Sequence, residues 1–119
     1  MKSETIKFEA PTNFEFCIRI RVIQSNTCIG YATLIRKNNL ATLADIFIHH
    51  HLMLKTHQNF RNQGIGTQLL NYVLHYCQAQ GITRIEGVAK GDLEKLIPWY
   101  KKHGFTISTD NRIYREINI

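Results

Sequence analysis

The segment Arg61-Asn62-Gln63-Gly64-Ile65-Gly66-Thr67 holds residue types that bind a phosphate-sized anion, in the order such binding needs. Glycine lets the backbone approach a ligand closely and take φ/ψ values that other residues avoid. Directly after it, Leu69, Leu70, Val73, Leu74 and Cys77 recur at steps of three and four, so a helix begins at the glycines. The first turn of a helix leaves its N–H groups without intrahelical acceptors and carries the positive end of the dipole. With Arg61 in front, the arrangement is a cradle for an anion. His49-His50-His51 is the second cluster with chemical potential. His49 and His51 share one face of an extended chain and could grip a metal, but no third ligand stands at useful spacing, so no metal site is expected. Their ordinary pKa of about 6.5 would also let them take up a proton. The plainer reading is a solvated, mildly basic loop; His75 and His103, on helix positions, read as surface residues, and Trp99 as a packing residue.

The elements that must position these groups follow from periodicity. Phe14 to Val22 alternates apolar and polar residues and reads as a strand with one wet face. Ser25-Asn26 supplies a turn, Cys28 to Ile35 a second strand, Lys37-Asn38-Asn39 a hairpin turn, and Leu40 to Ile48 a third strand. Gly64 to Gln80 is helical, with Ile65, Leu69, Leu70, Val73, Leu74 and Cys77 on one face and Gly81 as its stop. Thr83 to Ala89 is a strand. Asp92 can cap a second helix whose buried stripe is Leu93, Leu96, Ile97 and Tyr100. Phe105 to Ser108 and Ile113 to Ile117 close the chain as a hairpin around Thr109-Asp110-Asn111. A short strand between Thr5 and Ala10 fits ahead of the first clear one.

Composition bounds the rest. A chain of 119 residues is expected to form one domain, residues 1–119. No apolar run is long enough to span a membrane, and Met1 to Thr5 lacks the apolar core of a secretory leader. Cys17, Cys28 and Cys77 are odd in number and widely spaced, and they read as reduced thiols in a cytoplasmic protein. The net charge of +6 suggests an anionic ligand. Nucleic acid would be one, but no Lys/Arg run or RNA-binding signature supports it.

The pattern Arg-x-x-Gly-x-Gly at Arg61 to Gly66, followed by Leu69-Leu70, resembles the acetyl-CoA pyrophosphate loop of the GNAT superfamily of N-acyltransferases. A second motif stands in family order downstream. Ile97-Pro98-Trp99-Tyr100-Lys101-Lys102-His103-Gly104-Phe105 resembles the signature in which an aromatic-Tyr pair closes a helix and Gly-Phe opens the next strand. The resemblance covers Cys28 to Phe105 and implies an α+β GNAT fold with a mixed sheet, in the order β-β-β-α-β-α-β-β.

It also implies acetyl transfer from acetyl-CoA to a primary amine, by direct attack in a ternary complex, with no metal. The pyrophosphate would lie on Arg61, Asn62, Gln63, Gly64, Ile65, Gly66 and Thr67. Backbone groups of Ile46, Phe47 and Ile48 would serve the thioester oxygen and the pantetheine amides. Tyr100 matches the family's general acid, against a core tyrosine as the structural alternative. Asp45 stands where many members carry an acidic residue that takes the amine's proton; pairing or turn-capping is its alternative. His49, His51 or water could also be the base. The acceptor is a small-molecule or peptide amine, and a homodimer is compatible. A non-catalytic acyl-CoA-binding or protein-interaction module would use the same loop without turnover.

Three departures from the family pattern stand out. Helices that wall the acceptor site ordinarily follow a first strand, and too few residues precede Phe14 to form them; the acceptor side should be open or completed by a partner chain. The link from Ile48 to Arg61 is long, so His49 to Phe60 reads as an insertion, unless the strand runs on through Leu52, Leu54 and Thr56. An asparagine that often binds coenzyme A seven residues before the tyrosine is Leu93 here, so that contact is absent or moved to Asp92.

Overall fold

The computed structural model describes residues 6–48 and 64–117. Nine elements follow one another: β1 (Ile6–Glu9), β2 (Cys17–Gln24), β3 (Thr27–Lys37), β4 (Leu40–Ile48), α1 (Ile65–Ala79), β5 (Arg84–Val88), α2 (Leu93–Lys102), β6 (Thr106–Ile107) and β7 (Arg112–Glu116). The strands form one seven-stranded sheet in the order β1-β2-β3-β4-β5-β7-β6. Among the described strands only the β4–β5 pair is parallel, with α1 lying between the two in the chain. The α+β architecture with a mixed sheet that the resemblance implies is what the chain adopts, with the short leading strand realised as β1.

Alternation decides which face of β2 to β4 is wet. Ile18, Ile20 and Val22 are buried with their cross-strand partners Leu34, Ala32 and Gly30. Arg19 and Arg21 face the other way and are exposed. The buried side packs on α1, whose Ile65, Leu69, Leu70, Val73 and Cys77 lie in the same core. Leu74 is only half-buried, at the edge of the stripe expected of it. Burial pushes the Cys77 thiol up to about 12, so it is a core side chain rather than a nucleophile. The segment between β1 and β2 is tied to the far end of α1: Tyr76 donates to the Pro11 carbonyl at 2.8 Å, and Gln80 bonds both Phe14 N–H and the Thr12 carbonyl at 2.9 Å.

One irregularity in β4 controls everything built on it. Leu43 pairs with Leu34, but Asp45 pairs with Thr33, so Ala44 is an extra residue in the ladder. Such a bulge reverses the alternation that follows it. Ala41 and Leu43 face the core before it; Ile46 and Ile48 do so after it, while Asp45 is exposed. Gly30 is required beneath Ile48, since a Cβ there would come within 2.7 Å of the Phe47 carbonyl oxygen.

Two smaller expectations are corrected. Asp92 stands at the start of α2, but its carboxylate caps nothing; its own carbonyl takes the Lys95 and Leu96 N–H groups at 3.1 and 2.9 Å. His103, expected at the surface, closes α2 with its ring edge against Trp99 at 5.5 Å. Its Nε2 is buried and has no partner among the described residues. Burial, then the charges of Lys102 and Arg115, hold this imidazole below its usual pKa.

Candidate active site

The site forms where β4 and β5 part. Their ladder runs from Leu40 paired with Arg84 to Leu43 paired with Gly87 and ends there. β4 continues beside β3 as far as Ile48, whereas β5 continues to Val88 beside β7. A wedge therefore opens between the end of β4, carrying Asp45 to Ile48, and the end of β5. The bulge at Ala44 sits at its apex and bends the strand at that point.

The first turn of α1 faces this wedge. Gly64 precedes the helix with φ 74°, a left-handed conformation that favours glycine, and none of the described residues lies within 4 Å of where its Cβ would be. Gln68 N–H bonds the Gly64 carbonyl at 3.1 Å and starts the helical ladder. Among the described residues no side chain caps this end and no acidic residue occupies its first turn, so they leave its positive potential unanswered. A Cβ on Gly66 would stand 3.7 Å from the Trp99 ring and 3.8 Å from Ile48 Cγ1, which places the loop, the end of β4 and α2 around one space. Arg61, Asn62 and Gln63 lie outside the described residues, as do His49, His51 and the 49–60 segment.

α2 supplies the far wall. Trp99 donates its indole N–H to Thr67 Oγ1 at 3.0 Å, joining α2 to the first turn of α1. Sequence reasoning assigned Trp99 to packing and missed this bond; a hydroxyl at the third helical position, facing an aromatic pair, was the available signal. Tyr100 is 4% exposed and packs edge-on against Phe105 at 5.4 Å and Trp99 at 4.9 Å. Burial, reinforced by the negative charge of Asp45, pushes its phenol up to about 12. A phenol so shifted is protonated at neutral pH. Asp45 is close enough to act on that phenol, yet it is exposed and accepts a hydrogen bond from the Tyr31 hydroxyl at 3.3 Å. Tyr31, which also packs against Phe47 at 5.9 Å, escaped notice in the sequence because the Ala44 bulge is what brings it opposite Phe47.

The structure thus gathers Asp45, Ile48, the Gly64–Thr67 turn and Tyr100 around one wedge, with a donor-rich helix end on one wall and a protonated phenol on the other. In chemical terms, a helix N-terminus can bind an anion, and a phenol and a carboxylate can each carry a proton.

The acetyltransferase (GNAT) domain family matches residues 16–107. No curated protein sequence matches the chain. Among solved structures, the PaiA N-acetyltransferase from Thermoplasma acidophilum, crystallised in complex with coenzyme A, superposes with a TM-score of 0.71 at 17% identity, over 85% of this chain and 61% of that one. A GNAT-family acetyltransferase from Staphylococcus aureus gives 0.67 at 24% identity, over 86% and 68%. The IAA acetyltransferase from Bacillus cereus gives 0.71 at 16% identity, over 85% and 78%. At these identities the likeness is one of fold, and the chain spans about three-fifths of the length of the first of them.

Proposed function

Because the chain belongs to the GNAT acetyltransferase family, we propose that it transfers the acetyl group of acetyl-CoA to a primary amine, in a ternary complex. The observation that carries this reading is the wedge itself. The glycine-led end of α1, uncapped among the described residues, stands beside Ile48 and Trp99, and the buried phenol of Tyr100 feels the charge of Asp45 on the part of β4 that has left β5. The space that the described residues leave above Gly64 and the missing Cβ of Gly66 suit a pyrophosphate on the N–H groups of Ile65, Gly66 and Thr67. Arg61, Asn62 and Gln63 would complete that loop, and the backbone of Ile46, Phe47 and Ile48 would flank the acyl arm. Acetyl-CoA supplies an activated thioester; the protein supplies position and proton transfer.

The amine attacks only as the free base. For a lysine-like amine, holding that form at neutral pH costs about 4 to 5 kcal/mol. Asp45 is our candidate for accepting the proton at its carboxylate, with the Tyr31 hydroxyl fixing one oxygen. Tyr100 is the candidate for returning a proton from its hydroxyl to the departing sulfur. The desolvation that raises its pKa would also raise that of a thiolate leaving beside it, which would favour proton uptake by the sulfur.

The base assignment is tested by the pH dependence of turnover. A base must be ionised to act, so kcat/KM falls on the acid side as it protonates. Asp45→Asn is expected to lower kcat/KM and to remove or move that acid limb. Wild-type rates with an unchanged limb would remove Asp45 from the mechanism, and a limb flattened instead by His49→Ala or His51→Ala would transfer the role to the 49–60 segment.

A further inference from the structure

The exposed face of β2 to β4 carries a charge that the fold leaves unanswered. Arg19, Thr33 and Asp45 stand in register across the three strands, so their Cα atoms span about 10 Å. Arg19 donates from Nε to Thr33 Oγ1 at 3.3 Å and lays its guanidinium over the Tyr31 ring, 4.1 Å from the centroid. Tyr31 in turn donates to Asp45. Other described arginines have found oxygens of their own. Arg21 pairs with Glu9, Arg84 with Glu86 and Glu116, and Arg112 with Asp110. Arg36 bonds the Phe14 and Asn38 carbonyls, and Arg115 that of His103. Among the described residues Arg19 has no carboxylate partner, and Asp45 has no cationic one. The result is an aromatic floor with an open cation at one end and an open anion at the other.

We propose that the acceptor is an amine that also carries a carboxylate, with Arg19 receiving the carboxylate while Asp45 receives the amine. The proposal rests on the acyl-transfer reading above and adds the class of acceptor to it. Arg19 is held through Nε and the face of its guanidinium, which leaves the edge formed by Nη1 and Nη2. That edge matches a carboxylate with two parallel hydrogen bonds. The stacking on Tyr31 fixes its direction in advance, so less side-chain freedom is lost when a ligand binds. Arg19 and Asp45 stand on non-adjacent strands with Thr33 between them, which suits an amine set several bonds away from its acid group rather than an α-amino acid.

The test compares two amines of similar length, ε-aminocaproate and hexylamine, in a thiol-release assay with acetyl-CoA and the full chain. The wild-type protein should favour ε-aminocaproate by about fivefold or more in kcat/KM, the scale of a charge-assisted hydrogen bond at an accessible site. Arg19→Gln should bring the ratio close to one by raising KM for ε-aminocaproate, and Arg19→Lys should keep part of the preference. Arg21→Gln, whose charge already answers Glu9, should leave the ratio where it was. A wild-type ratio near one, or a preference that survives Arg19→Gln, would overturn the proposal while leaving acyl transfer intact. Coenzyme A binding without thiol release for either amine, or for any other tried, would instead overturn the acyl-transfer reading, and this proposal with it.

Discussion

Tyr100→Phe is expected to lower kcat by about two orders of magnitude while leaving coenzyme A affinity close to wild type. The substitution deletes one oxygen and keeps the ring, so the edge-on contacts with Trp99 and Phe105 survive. Loss confined to kcat is the signature of an interaction made in the transition state, and removal of a general acid is worth roughly 10² to 10⁴ in rate. A purely structural tyrosine would give a different pattern. Its loss would lower the unfolding midpoint and change binding and turnover together. Calorimetry for coenzyme A, alongside steady-state rates at saturating amine, separates the two. Wild-type turnover in the variant would return Tyr100 to the core and nothing more.

Gly66→Val should have a comparably large effect, on binding rather than on rate. A Cβ at Gly66 meets Trp99 and Ile48 at 3.7 and 3.8 Å, ordinary contact distances, so the domain has room for the first added atom. The branched side chain then extends into the space bounded by the first turn of α1, the end of β4 and α2. We expect coenzyme A affinity to fall by about a hundredfold or more, from at least two charge-assisted contacts of roughly 1.5 to 3 kcal/mol each. Circular dichroism and the melting profile should remain those of a folded domain. Unchanged affinity in the folded variant would move the phosphate site away from this loop.

Much of this architecture was legible because its periodicities are long and clean. The third strand follows an Asn-Asn turn and begins at Leu40 as expected, while whether it runs on past Ile48 lies outside the described residues. The α1 stripe from Ile65 to Cys77 is equally plain, as is the positive φ of Ser25 and Asn26 where a turn was expected. What could not be read is the bulge. Continuing the register that pairs Leu43 with Leu34, Asp45 would sit opposite Ala32, whose side is the core. One extra residue at Ala44 sends it to the exposed face instead, opposite Thr33 and within reach of Tyr31. A single-residue slip of this kind changes no composition and breaks no pattern, since Ala44 suits either register. Asp92 and His103 were misjudged for a related reason. Residue type names what a side chain can do, but carbonyl geometry and neighbouring rings decided what these two actually do.

The most direct test of the account follows both products of one reaction. Acetyl-CoA and ε-aminocaproate are incubated with the full chain, thiol release is monitored, and the amine is recovered for mass analysis. The account predicts catalytic turnover, with one acetylated amine formed for each free thiol and both lost together in Tyr100→Phe. Binding of coenzyme A with no thiol release above the uncatalysed rate, across a panel of amines, would contradict it and leave an acyl-CoA-binding module in its place.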